Sequence, residues 1–94
     1  MLAEVADATP SADEQIDRHR AREVLETVLL DLPMDLRTVF VLCELEELTV
    51  PTLAALLDIP VGTAASRLRR ARESFHAAVR RHQVQSLRTS RMMR

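Results

Sequence analysis

Apolar residues recur along this chain at helical intervals, in four runs separated by proline or turn residues. The first run opens at Ser11, with Glu14 three residues on. In that pattern the serine and glutamate side chains can cap each other's backbone N–H groups. Ile16, Val24, Leu25, Val28 and Leu29 carry the helical spacing up to Leu32, and Pro33 bounds it, because a residue before proline avoids helical backbone. Pro33 also suits the first turn of a second helix. There Leu36, Val39, Phe40 and Cys43 follow the i, i+3, i+4, i+7 pattern that gathers them on one face. Glu44, Glu46 and Glu47 end that segment, and Leu48 is expected as a buried plug in the connection.

Thr49 is expected to cap a third helix with Pro51 in its first turn and Val50, Leu53, Ala54 and Leu57 as its apolar stripe. Asp58 should end it in left-handed backbone, which Asp tolerates. Pro60 and Val61 lead into the fourth and longest helix. Val61, Ala64, Leu68, Ala71, Phe75 and Ala78 or Val79 keep one face for about five turns. Residues 83–94 lose the periodicity, so the pattern leaves open a frayed or an extended tail. Residues 1–10, small and acidic and ending in Pro10, read as a linker or disordered N-terminus. The expected domain therefore covers 11–82.

Composition narrows the class to all-α. The chain has 94 residues, 47% hydrophobic and 29% charged, which suits one small globular domain and is too apolar for wholesale disorder. One Gly and 2% aromatic residues argue against sheets, which favour aromatic and β-branched residues and need Gly-rich turns. The single Cys43 has no internal disulfide partner, pointing to a reducing, cytoplasmic setting. The first ten residues lack the basic and apolar regions of a signal peptide, and no run approaches the ~18 apolar residues of a membrane span, so no membrane partner is expected.

Net charge is −1, which conceals a split. Residues 1–58 hold 13 acids and four Arg, net −9; residues 59–94 hold one acid, Glu73, and nine Arg, net +8. Such asymmetry points to a polyanion partner. All 13 basic residues are Arg. A guanidinium can grip phosphate or guanine with two hydrogen bonds, but the missing Lys is better explained by a GC-rich coding sequence, which also accounts for the excess of Ala and Leu.

Candidate chemistry is concentrated after the third helix. Helices at 50–57 and 62–82 joined by about four residues have the layout of a helix-turn-helix, whose second helix enters the DNA major groove. Arg67, Arg69, Arg70 and Arg72 crowd the outer faces of that second helix. At about 100° per residue, Ser66, Arg69 and Arg70 fall opposite the stripe of Ala64, Leu68 and Ala71. Thr63 lies at the helix N-terminus, where free N–H groups favour phosphate. Short side chains at Gly62, Thr63, Ala64 and Ala65 would let this end approach DNA closely. An enzyme is not expected. His19, His76 and His82 are too scattered for a metal site, Cys43 falls on an apolar face, and no Gly-rich phosphate loop is present. No catalytic residue, cofactor or metal is expected.

The runs Leu32-Pro33-Met34-Asp35-Leu36-Arg37, Glu44-Leu45-Glu46, Ile59-Pro60-Val61-Gly62-Thr63, Ser66-Arg67-Leu68 and Arg70-Ala71-Arg72 resemble the C-terminal domain, region 4, of bacterial sigma factors of the extracytoplasmic-function (ECF) class in the sigma-70 family. The resemblance covers about residues 16–82. It implies an all-α, four-helix, winged-helix-like domain without strands, which reads the −35 promoter element with its last helix. It also implies docking on the β flap of the RNA polymerase core, with an anti-sigma factor as a further candidate partner. Carried over, Thr63, Ser66, Arg69 and Arg70 match DNA-facing positions. Arg67 would hold a phosphate or an internal acid, and Arg37 an intramolecular or backbone contact.

Four positions depart from the family pattern. Ala65 and Cys43 stand where basic residues are common, Glu47 where Gly is common, and Thr52 where an acid usually completes a box with Thr49. The acidic stretch before residue 16 resembles an interdomain linker, so the chain is expected to be the C-terminal piece of a longer factor. Two other classes share features with it: a sigma-like protein-interaction module with weak DNA affinity, and another type of helix-turn-helix regulator.

Overall fold

The structure, a computed structural model, describes residues 11–92. Among them are four α-helices and no strand: α1 (Ala12–Leu30), α2 (Met34–Phe40), α3 (Val50–Leu57) and α4 (Val61–Met92), with a π-type turn at Val41–Leu45 prolonging α2. The linker expected over 1–10 lies outside the described residues. Of the two outcomes open for the tail, helix α4 takes the extended one as far as Met92.

Local chemistry explains each boundary. Ser11 caps α1, its hydroxyl accepting the Glu14 N–H at 3.2 Å, while Asp13 and Glu14 place negative charge in the first turn where the helix dipole favours it. The far end of α1 has no basic residue in its last turn. Its carbonyls are met instead from α2: Arg37 donates to Leu29 O at 2.8 Å, Leu30 O at 3.2 Å and Leu32 O at 2.9 Å. One planar guanidinium therefore closes the α1–α2 corner through three carbonyls at the helix end, of which Leu29 O also accepts the Leu32 N–H at 3.1 Å. Arg37 is thus an intramolecular clamp.

Past α2 the hydrogen-bond ladder widens. Glu46 N–H bonds Val41 O at 3.0 Å and Leu48 N–H bonds Leu42 O at 2.9 Å, five and six residues back. Glu47 leaves this turn with φ 60°, so the left-handed conformation that glycine would supply is kept with a glutamate in its place. Leu48 is only half-buried, a looser plug than expected. Thr49 caps α3 by accepting the Thr52 N–H at 3.3 Å. Thr49 also donates its own hydroxyl to Thr52 Oγ1 at 2.9 Å, so the two threonines pair where an acid would have closed a capping box.

The core is one cluster. Val28 and Leu32 from the α1 end, Val39 and Phe40 of α2, Leu53 and Ala54 of α3, and Ala64, Leu68, Ala71 and Ala78 of α4 are buried, with Leu36, Cys43, Val50, Leu57, Phe75 and Val79 packed around them. Phe40 and Phe75, the whole aromatic complement, stack with centroids 4.3 Å apart and planes 15° from parallel. Alanines at the α4 contact let α2 and α3 approach closely, so Phe40 and Leu53 fill the space between.

Three apolar positions expected on inner faces are exposed, and a fourth, Leu25, is half-buried outside the core cluster. Val61 is 52% exposed, because it precedes the first full turn of α4. Ile16 and Val24 are 51% and 40% exposed. Eight residues separate them, too sparse a spacing to hold a stripe, and the core reaches only the last turns of α1. Beyond Val79, α4 likewise buries nothing. Both helices run past the core as unsupported arms, so the radius of gyration is 17.5 Å where a compact domain of this size would have about 12 Å.

Candidate nucleic-acid interface

Helices α3 and α4 form a helix-turn-helix whose connection is only residues 58–60. Its geometry is a left-handed cap. Asp58 has φ 55° and ψ 50°; its N–H bonds Ala55 O at 3.3 Å, and the Ile59 N–H reaches Ala54 O at 3.0 Å. These paired bonds satisfy the end of α3 and turn the chain sharply, while Ile59 packs on the core. Pro60 then starts α4, its carbonyl accepting the Ala64 N–H at 3.0 Å. Proline has no side-chain acceptor, so it leaves the N–H groups of the first α4 turn without a cap from its side chain.

The outer face of α4 carries the candidate residues. Arg69 and Arg70 are exposed; Thr63, Ser66 and Arg67 are half-buried on the flanks. Among the described residues, none of these three arginines is paired with an acid or bonded to a carbonyl. An exposed, uncompensated cation retains its full attraction for an outside anion. Arg67 therefore has no internal acid here. Arg72, also exposed, is different: its Nε is held by Glu44 Oε1 of the π-type turn. That pair ties α4 to the end of α2 and removes Arg72 from the free set.

Of the four short residues expected to admit DNA, Ala64 is fully buried and faces the core, since it opens the helix's inner stripe. Gly62 and Ala65 are exposed and Thr63 half-buried. A β-carbon built on Gly62 would meet nothing within 4 Å, and its φ is not positive. Neither packing nor backbone conformation within this domain requires glycine there.

Cys43 sits half-buried beside the core. Burial pushes its thiol above the ordinary range, the Glu44 carboxylate adds to this, and Arg72 opposes it. A thiol held protonated is a poor nucleophile. Among the described residues no group of three or more His, Cys, Asp or Glu could hold a metal, and no helix is long and apolar enough to cross a membrane.

Apolar periodicity ends near residue 82, and with it the signal that would have placed two further cations, Arg88 and Arg91, on this helix beyond Arg80 and Arg81. Arg80, Arg81, Arg88 and Arg91 lie on the exposed continuation of α4. Continuing the 100° wheel past the last apolar contact would have found them. The three carbonyl partners of Arg37 are likewise invisible in the sequence, since no spacing reveals them.

Comparison with known proteins agrees with this arrangement. The family model described as Sigma-70, region 4 matches residues 19–75. The chain is 40% identical over 67 residues to the ECF RNA polymerase sigma-E factor of Haemophilus influenzae, covering 71% of this chain and 35% of that protein. It is 43% identical over 54 residues to the proteins of the same name from Salmonella typhimurium and Escherichia coli, covering 57% of this chain and 28% of each. The chain thus spans about a third of the length of the relatives it matches.

Proposed function

Because the chain belongs to the sigma-70 region 4 family, we propose that it recognises the −35 promoter element through α4 and helps direct RNA polymerase to begin transcription there. The observation that carries this is the outer face of α4, where Arg69 and Arg70 stand exposed and unpaired beside Thr63 and Ser66. Thr63, at the leading turn, bonds a phosphate together with the uncapped backbone N–H groups. Ser66, Arg69 and Arg70 face base edges and flanking strands; Arg70 suits guanine, whose O6 and N7 accept both arms of a guanidinium fork. Arg67 holds a phosphate at the edge of the face. The role is binding rather than catalysis, and the setting is the cytoplasm.

The core polymerase is the protein partner. Leu30, Met34, Leu45 and Leu56 are exposed apolar residues at the α1–α2 corner, the π-type turn and α3. They offer contact area to the β flap, or to an anti-sigma factor that competes for it. The same residues favour a second reading, a protein-interaction module with weak DNA affinity.

Selection from a pool of random duplexes separates the two. A −35 reader enriches a short motif and loses affinity steeply with salt. Arg70→Ala then relaxes preference at one base pair, a loss of about 1–3 kcal/mol confined to the preferred sequence. Equal losses on preferred and random DNA would make Arg70 a phosphate anchor, and salt-independent binding would remove the DNA reading.

A further inference from the structure

The α4 helix does not stop where the domain does. Its 32 residues form one unbroken rod of about 48 Å. No residue of 80–92 is buried and only His82 is half-buried, yet the outward face continues in register. Ser66, Arg70, Ala77, Arg81, Val84 and Arg88 are separated by four, seven, four, three and four residues, so they share one side of the helix. Arg80 and Arg91 flank the same side. Among the described residues none of these arginines has an acid or carbonyl partner. The one acid after residue 58, Glu73, interrupts the stripe once and is not paired with any of them.

From this we infer that α4 carries a second DNA contact, in which Arg80 and Arg81 grip the phosphate strand flanking the sequence read by its first turns. The inference rests on the proposed DNA role of Arg69 and Arg70 and extends it outward. Arg80 and Arg81 lie about 15 Å further along the axis than Arg70. The major groove is about 12 Å wide. A straight rod seated in a curving groove leaves it over that distance, which would carry these two guanidinium groups to the bordering phosphates. Charge complementarity selects the occupant: from Arg70 to Arg91 the face presents Arg70, Arg80, Arg81, Arg88 and Arg91 against one acid, Glu73, with Ala77 and Val84 between them, and it is collinear with the base-reading face. The contact adds affinity and fixes the helix axis, but carries no base preference.

The test uses the whole chain and a fluorescent 30-base-pair duplex pool of random sequence. Binding is followed by anisotropy across a sodium chloride titration for the wild type, Arg69→Gln/Arg70→Gln and Arg80→Gln/Arg81→Gln, with circular dichroism to confirm that all three are equally helical. Every phosphate that the protein no longer neutralises lowers the slope of log affinity against log salt by about 0.9. The Arg80/Arg81 variant is expected to lose about two units of slope and roughly tenfold or more in affinity at low salt. A slope and affinity equal to the wild type's, with Arg69→Gln/Arg70→Gln still impaired, would overturn the second contact and leave the role of the first turns standing. Absence of salt-dependent binding by the wild type would overturn both. Should the Arg80/Arg81 variant keep its duplex slope but lose binding to an acidic, leucine-bearing helical peptide, the arm serves a protein partner and the inference fails.

Discussion

Glu47 and Asp58 hold left-handed backbone at the two turns that frame α3, and they do so with different ease. Asp tolerates that conformation, whereas for a residue such as Glu it costs about 1–2 kcal/mol. Glu47→Gly should therefore stabilise the domain by about 1 kcal/mol and raise the melting temperature by ~4–8 °C, measured by thermal circular dichroism; an unchanged or lower midpoint would show that the Glu47 side chain contributes a compensating contact. Gly62 presents the reverse case. Nothing near it forbids a β-carbon, so Gly62→Ala should stabilise α4 by about 0.4–1 kcal/mol. The same variant should bind duplex DNA more weakly, because the methyl group stands at the uncapped end. Higher stability with unchanged DNA affinity would mean that this end does not approach a ligand closely. Asp58's conformation was legible in the sequence, since its place at the end of a short helix before Ile-Pro leaves few alternatives. That Glu47 would keep the turn of a glycine was not, because residue identity argued against it and only the surrounding hydrogen bonds enforce it.

Helix positions follow closely from the apolar spacing, because a buried stripe must repeat every three or four residues wherever a helix meets the core. Val39, Phe40, Leu53, Ala54, Leu68 and Ala71 were all identifiable in this way. That signal weakens where a helix leaves the core. Ile16 and Val24 on α1 have the spacing of inner positions and are exposed, and the last three turns of α4 had no stripe to reveal them. What joins the elements was still less visible. The α1–α2 corner depends on Arg37, whose three bonds run to carbonyls between five and eight residues away. Arg37→Ala should lower stability by about 2 kcal/mol, the loss expected for hydrogen bonds from a charged group, with a matching fall in the denaturation midpoint. Arg37→Lys should recover only part of this, since a single ammonium cannot span the three oxygens. Full recovery by lysine would reduce the clamp to a simple charge–dipole effect.

For the molecule as a whole, the charge split along the chain becomes a split in space. The cations of α4 face outward in a stripe, while Glu44, Glu46 and Glu47 cluster at the π-type turn, where Glu44 already holds Arg72. If α4 faces DNA as proposed, acids this close to it would repel phosphate and restrain binding to the wrong sequence. The triple variant Glu44→Gln, Glu46→Gln and Glu47→Gln should bind random duplex several-fold more tightly at low salt, with a steeper salt dependence as Arg72 is released. Unchanged affinity would place these acids too far from the bound DNA to matter. Near-neutral net charge gave no hint of this; dividing the chain at residue 58 did, although the Glu44–Arg72 pairing across that division needed the folded structure.

The unsupported arms of α1 and α4 carry a consequence for how quickly their amides exchange with solvent. A helix turn packed on the core opens only when the domain opens, whereas a turn with no partner frays on its own. Residues 80–92 should therefore exchange their amide hydrogens orders of magnitude faster than those between Ala64 and Ala78 in the same helix. One continuous helix thus contains both a slow clock and a fast one. Whatever settles on the free arm will slow the fast clock first, so the molecule carries its own site-resolved record of occupancy.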